Sequence, residues 1–348
     1  MKIAMIVPYH VKCGVASYGE ALSNALVQLG VEIYIVRLPR FGAKNQPILR
    51  LVASKIPLDK IDLISVQEEY GLYQNQDIYF FNLLKQLGKP IVTTMHSVGL
   101  WEADQVIAQV SDAVIVHNKF CAKRFGYPTT LIPHGIKSVE CTPNEVVRKK
   151  MGLPEKTPIV GYLGYISNYK GLETLISAMK KIPNKALLIA GGSHAGPDTE
   201  YMLKLKEDSL KEMSGRVQWL GYIEDERLPD IYGLMDIVCY PSKFCTESGA
   251  LLTAIGFGKA VITSNLSPFR EKEKQGVIQV FKNEDELVEM INMNFKKPEL
   301  RAMYEQRAKE YAKKNSWENV AAKHVKLFKS VLHSYKKKKD EENETVYF

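Results

Sequence analysis

The sequence lacks the features that would tie it to a membrane span, a metal or a disulfide framework. It has no apolar run of about 18 residues, the least that crosses a bilayer as a helix. Its five cysteines (Cys13, Cys121, Cys141, Cys239, Cys245) are odd in number, scattered and never spaced C-x-x-C. That pattern reads as reduced thiols and argues against a zinc site. G-x-G-x-x-G is absent, which speaks against a nicotinamide or flavin cofactor. D-x-D is absent too, and no internal repeat or low-complexity tract occurs before the C-terminal tail. The formal net charge of +8 is diffuse and carries no aromatic-interleaved basic stripe, so nucleic acid is not expected as a partner. A mild basic excess instead suits a phosphorylated ligand or an anionic membrane surface, or is simply a solvated basic surface. The chain enters an apolar strand at once, without a leader-like cleavage region. A cytoplasmic protein is therefore expected, with peripheral contact on the inner face of a membrane as an option.

What is present is a strand–helix rhythm, repeated in two series that suit two domains in 348 residues. The first series predicts strands over 2–7, 32–36, 62–67, 91–96, 113–117 and 130–135. A helix from Ala16 to Leu29, stopped at Gly30, follows the first of them. Alternation of this kind predicts a parallel α/β sheet, with ligands outside the carboxyl ends of its strands. Gln67, Glu69, His96, His117 and His134 fall at such ends, where each either makes a structural hydrogen bond, the commoner role for any one of them, or lines a ligand site. Gly14 stands where a loop becomes a helix, so it either permits a tight turn or offers its amide to a phosphate or sugar. From Cys141 to Lys156 the chain turns polar and charged, and a domain boundary is expected near residue 155.

The second series predicts strands over 158–164, 185–192, 217–223, 236–240 and 260–264, with an edge strand from Phe281. Its informative stretch is Cys245 to Ser264. There a polar turn carrying Glu247 leads into Ser248-Gly249-Ala250-Leu251, an apolar helix closed near Gly258, and a strand. Small residues at a helix N-terminus let an anion reach the backbone amides. A carboxylate just ahead of them suits hydroxyls instead, so the pair suggests a ligand with a phosphate end and a sugar end. Lys170-Gly171, at another strand-to-helix turn, is a good phosphate ligand in principle, although lysines at helix starts are commonly solvated. Pro298 opens a charged helix to about Lys314, and Ser316 caps a last amphipathic helix to about Leu332. The block Lys336–Glu342 beyond it is expected to be disordered.

The Cys245–Ser264 block resembles the donor-site signature of family-4, GT-B-type retaining glycosyltransferases: Glu, seven residues, Glu, then Gly-x-Pro-Val-Ile. With Gly258 on the family's glycine, the second glutamate falls on Thr253, and Glu247 comes two residues after the first one's position, Cys245. Lys170-Gly171 matches the family's Lys-Gly, while Tyr165 stands where an arginine is usual. Cys13-Gly14-Val15-Ala16, Glu69-Tyr70-Gly71, Thr94-Met95-His96 and Ile132-Pro133-His134-Gly135 resemble its first domain, in the right order.

The resemblance covers roughly residues 2–330 and implies two Rossmann-like domains facing a central cleft. These are an acceptor-side domain (1–155) and a donor domain (156–315). A helix at 316–333 would cross back to the first domain, ahead of the tail at 334–348. It further implies metal-independent, retaining transfer from a nucleoside-diphosphate sugar to a glycan, lipid-linked or other hydroxyl acceptor, with no cofactor or metal. In that reading Gly14, Lys170, Tyr222, Glu247, Ser248, Gly249, Ala250, Leu251 and Thr253 bind the donor. Glu69 and His96 face the acceptor, and Glu247 and His96 are catalytic. Loops such as 40–51 and 72–76 would choose the acceptor. Two alternatives stand beside it: a weakened protein that binds a nucleotide sugar without transferring it, and an epimerase-like enzyme on the same fold.

Overall fold

The computed structural model describes residues 1–39, 45–151, 157–192 and 199–345. The chain divides into two compact units, Met1–Gly135 together with the segment from Asn315 onward, and Ile136–Lys314. Among the described residues each unit is built on one six-stranded parallel sheet.

The first sheet contains β1 (Lys2–Val7), β2 (Glu32–Arg37), β3 (Leu63–Glu68), β4 (Ile91–Met95), β5 (Ala113–Val116) and β6 (Thr130–Leu131), in the order β2-β1-β3-β4-β5-β6. Every pairing is parallel, with Ile3 opposite Ile33 and Leu63, and Val92 opposite Ala113. The central strands read as near-continuous apolar runs because helices cover both faces. Ile3 to Val7, Leu63, Ile64, Val66 and Val92 are accordingly buried. The helix Gly14–Gln28 buries Tyr18, Leu22 and Leu26 on one stripe. Against it packs the helix Trp317–Thr345, whose Val320, Ala321, His324, Phe328 and Val331 recur at helical spacing and are buried. The last helix thus returns to the first unit, as the resemblance implies. Phe328 is its main anchor, and replacing it with alanine should cost about 3–5 kcal/mol.

The second sheet contains β7 (Ile159–Leu163), β8 (Ala186–Ala190), β9 (Val217–Trp219), β10 (Ile237–Tyr240), β11 (Val261–Ser264) and β12 (Gln279–Phe281), ordered β12-β11-β10-β7-β8-β9. β12 is an edge strand, but it ends at Phe281, where the edge strand was expected to begin, and all pairings are again parallel.

Three local expectations change. The units divide between Gly135 and Ile136, ahead of the boundary near residue 155, which itself lies outside the described residues. Residues 136–151 pack with the second unit: Ile136 and Val147 are in its core, and the Thr142 amide donates to the Pro229 carbonyl (3.1 Å). Asn144 donates to the Gly233 carbonyl (2.9 Å), and buried Arg148 to that of Thr157 (2.6 Å). The strand expected over 130–135 pairs only at Thr130–Leu131, because Pro133 has no amide to extend the ladder. The block 334–345 is helical rather than disordered. Its charges alternate in sign by helical turns, with Lys337 and Glu341 3.8 Å apart, and the Tyr335 hydroxyl donates to the Gly88 carbonyl (2.8 Å). Among the described residues no helix is long and apolar enough to cross a membrane.

Candidate functional site

In the second unit, the turns at the carboxyl ends of β7, β8, β9 and β10 are fastened to one another. The turn after β7 leads through Gly164-Tyr165-Ile166 to a single 3-10 turn, Asn168–Lys170, and then to the helix Leu172–Lys180. The Ile166 amide donates to the Gly192 carbonyl beyond β8 (3.1 Å), and the Gly191 amide to the Gly221 carbonyl beyond β9 (2.7 Å). On the other side, the Lys243 amide donates to the Tyr169 carbonyl (2.8 Å). Gly171 lies in the left-handed region (φ +66°), and a β-carbon there would collide with the Pro241 carbonyl. Only glycine lets the β7 and β10 turns approach so closely.

This frame carries the predicted donor-side residues. The Lys170 ammonium lies 4.8 Å from the centre of the Tyr169 ring. Its charge reaches Cys245, whose thiol is nevertheless pushed up to about 12 by burial and then by Glu247. Ser248 caps the helix Gly249–Gly256, its hydroxyl accepting from the Leu251 amide (3.3 Å). That bond uses the Leu251 N–H, and the Leu251 side chain is fully buried. Gly249 is exposed, and nothing lies within 4 Å of where a β-carbon would be. Ala250 is half-buried, and the Tyr240 hydroxyl holds its carbonyl at 2.9 Å and that of Leu163 at 3.1 Å. This places the first helical turn beside the end of β7. Thr253 donates its hydroxyl proton to the Gly249 carbonyl (2.9 Å), so that proton stays within the helix. Tyr222, at the end of β9, is 44% exposed beside the Gly191-Gly192 bend, whereas Ile223 is buried.

Glu247 sits at the helix N-terminus with its carboxylate folded back onto the Ser248 amide (3.0 Å). Both carboxylate oxygens accept from Lys272 Nζ at 2.9 Å. The two side chains are 9% and 4% exposed. Burial works against the Lys272 ammonium, but the Glu247 charge outweighs it and holds its pKa above the ordinary lysine value. Sequence reasoning missed Lys272 because the run Arg-Glu-Lys-Glu-Lys reads as a solvated helix face. The available signal was periodicity, since Lys272 lies four and three residues after Pro268 and Phe269, the other buried positions of its helix.

In the first unit, His96 follows β4, with Nε2 3.1 Å from Gln67 Oε1 and its amide donating to the Glu68 carbonyl (2.8 Å). His117 and His134 join it around the buried ring of Tyr18, whose centre lies 4.6, 5.2 and 4.9 Å from those of His96, His117 and His134. Trp317 (5.1 Å) closes the group, and the Tyr18 hydroxyl lies 3.5 Å from His324 Nε2. Burial, then the neighbouring His117 and His134, push His96 well below its ordinary pKa, and burial pushes His324 down to about 4. These two imidazoles are therefore neutral at pH 7. Glu69 is half-buried and accepts from the Ser97 hydroxyl (3.3 Å). Gly14 is the exposed first residue of its helix, with open space where a β-carbon would be. Among the described residues no group of three or more His, Cys, Asp or Glu side chains is arranged to hold a metal ion.

The fold is that of the GT-B glycosyltransferases. Residues 143–311, just under half of the chain, match the family model described as Glycosyl transferases group 1, so in this stretch the chain is similar to those glycosyltransferases. It is 22% identical over 291 residues to the lipopolysaccharide 1,2-N-acetylglucosaminetransferase of Salmonella typhimurium, covering 77% of this chain and 75% of that one. It is 23% identical over 197 residues to the D-inositol 3-phosphate glycosyltransferase of Corynebacterium urealyticum, covering 54% of this chain but only 46% of that one. The solved structure of Anabaena HepE in complex with UDP and glucose superposes with a TM-score of 0.75 at 16% identity, over 95% of this chain and all of that one. At that identity the likeness speaks for the fold alone.

Proposed function

We propose that the protein transfers a sugar from a nucleoside-diphosphate sugar to a hydroxyl of a glycan or lipid-linked acceptor, with retention and without a metal ion. The observation that carries this reading is the fastened crest of the second sheet. There a lysine, an uncluttered helix N-terminus at Gly249-Ala250 and a buried carboxylate belong to adjoining turns.

In this reading Lys170 and the first amides of the Gly249–Gly256 helix meet the diphosphate charge, which grows as the bond to the sugar breaks. Donors fixed in advance at that position lower the barrier, because no solvent need reorganise. Glu247 accepts from hydroxyls of the donor sugar. Tyr222 lies on the base side, by analogy with the family. In the first unit, neutral His96 offers a hydrogen bond rather than a positive charge, which is compatible with an oxocarbenium-like centre. Glu69 faces the acceptor. The complex of HepE with UDP and glucose, and the acceptor class in the name of the Salmonella transferase, support the substrate classes and leave the sugar open.

The test is thermal stabilisation by UDP, GDP, ADP and their glucose and mannose conjugates, with EDTA and then with Mg²⁺. One nucleotide series should raise Tm in EDTA, and product NMR should show the donor's anomeric configuration retained. No stabilisation by any of them would end this reading. A shift that needs Mg²⁺ would end its metal-free part.

A further inference from the structure

We propose that Lys272 is a positioning residue for sugar recognition: it fixes the Glu247 carboxylate at the N-terminus of the Gly249–Gly256 helix and does not itself bind the diphosphate. The proposal rests on the reading of Glu247 as the group that holds the donor sugar.

The geometry is specific. Lys272 Nζ lies 2.9 Å from each oxygen of Glu247, and the Ser248 amide also donates to Oε1 (3.0 Å). Contacts from two chain segments remove the rotational freedom that a glutamate side chain in a turn would otherwise keep. A hydroxyl-binding group must be held to within about half an ångström to discriminate among sugars, and such precision comes from the shell behind it. Stability alone is a poor reason for this pair. A buried ion pair seldom outperforms an apolar pair of the same volume, because both charges lose their hydration. Yet Lys272 occupies an apolar-face position beside Pro268 and Phe269, where leucine or methionine would satisfy packing. The chain retains the charge there, and that charge contacts the carboxylate of the turn.

The competing role is concrete. Tyr165 stands where the family usually has a second phosphate cation, and Lys272 could be its substitute. The burial of Lys272 (4% exposed) and its contact with both Glu247 oxygens argue against this, since its charge is already matched.

The experiment is a binding cycle on the full-length protein. Dissociation constants for UDP and UDP-glucose (or the GDP or ADP pair, if the nucleotide panel selects that base) are measured for wild type, Lys272→Met, Glu247→Gln and the double variant. UDP-glucose affinity should fall about tenfold in each single variant and no further in the double, while UDP affinity stays within about twofold. Lys272→Arg should recover most of the loss. An equal loss of UDP affinity would make Lys272 a phosphate cation or a fold element and overturn the proposal. Losses that add in the double variant, or unchanged UDP-glucose affinity, would overturn it as well. If Lys272→Met does not fold, the double variant, which leaves no unpaired charge, and Lys272→Arg decide. A double variant with wild-type UDP-glucose affinity then refutes it. Failure of the functional reading is separate, because wild type would bind neither ligand.

Discussion

The two units set the same scaffold to opposite uses. Each has six parallel strands with its chemistry-bearing residues at their carboxyl ends, but the first unit fills that rim with side chains and the second leaves backbone there. Around Tyr18, the rings of His96, His117, His134 and Trp317 make a closely packed aromatic cluster. In the second unit, glycines at 171, 191 and 249 bring turns together or leave the chain bare, and the local charges include Lys170, the Lys243–Glu173 pair and the Glu247–Lys272 pair. A cluster of that kind fixes shape and disfavours charge. Bare amides with a cation suit an anion. The difference teaches that a shared α/β class says little about the site, which depends on how each strand end is finished.

The largest effect expected from this contrast is in the second unit. Lys170→Ala removes a half-buried cation from the proposed phosphate end, and transfer should fall about a hundredfold or more. Its Tm should scarcely move, because the side chain is not part of the core. Activity within a few-fold of wild type would show that the crest does not work as described.

Next in size is a pH effect confined to the first unit. His324 is buried with its pKa at about 4 in the folded protein, against about 6.5 unfolded. The unfolded chain therefore takes up the proton first. The stability His324 contributes is complete above pH 6.5 and is lost as pH falls toward 4, by up to about 3 kcal/mol. Other groups oppose this, notably Glu68, which burial holds well above the usual carboxylate range. The clean measurement is thus the stability difference between wild type and His324→Leu by urea unfolding. The difference should move in favour of the leucine variant by that amount between pH 7 and pH 4. A difference independent of pH would mean that His324 is not buried as a neutral ring.

Much of this fold was legible because its signals are local. Apolar runs of strand length, helix stops at Gly30 and Gly258, and turns at expected intervals specify two parallel sheets before any packing is known. What escaped were features decided by distant partners. Residues 136–151 look like linker until Arg148 and Asn144 are seen fastened to the second unit. The lysine-rich end of the last helix looks unstructured until Tyr335 finds the Gly88 carbonyl. At the site, Lys170, Glu247 and Gly249 could be named from the turn chemistry around them. The partnership of Glu247 with Lys272 could not, since 25 residues and a strand separate them.

A smaller effect tests whether the glycines shape the crest. Gly171→Ala would place a β-carbon against the Pro241 carbonyl and hold alanine at φ +66°. A loss of about 1–3 kcal/mol in unfolding free energy is expected, with weaker donor binding because the β7 and β10 turns are pushed apart. Wild-type stability would show that these turns are not in contact.

The smallest stability effect should be the most telling about function. Gly249 opens its helix with ordinary backbone angles, and an added β-carbon would meet nothing within 4 Å. In the free protein Gly249→Ala should be neutral or slightly stabilising, since alanine orders a helical position more cheaply than glycine. In the proposed reading, the space that the methyl group would take is where a diphosphate comes to reach the first amides. The KM for the nucleotide sugar should therefore rise, about three- to tenfold by loss of a phosphate contact, while Tm holds or increases. That split is informative because no damage to the fold can produce it. Unchanged KM would place the diphosphate elsewhere on the second unit, and the open space above Gly249 would then have no part in binding it.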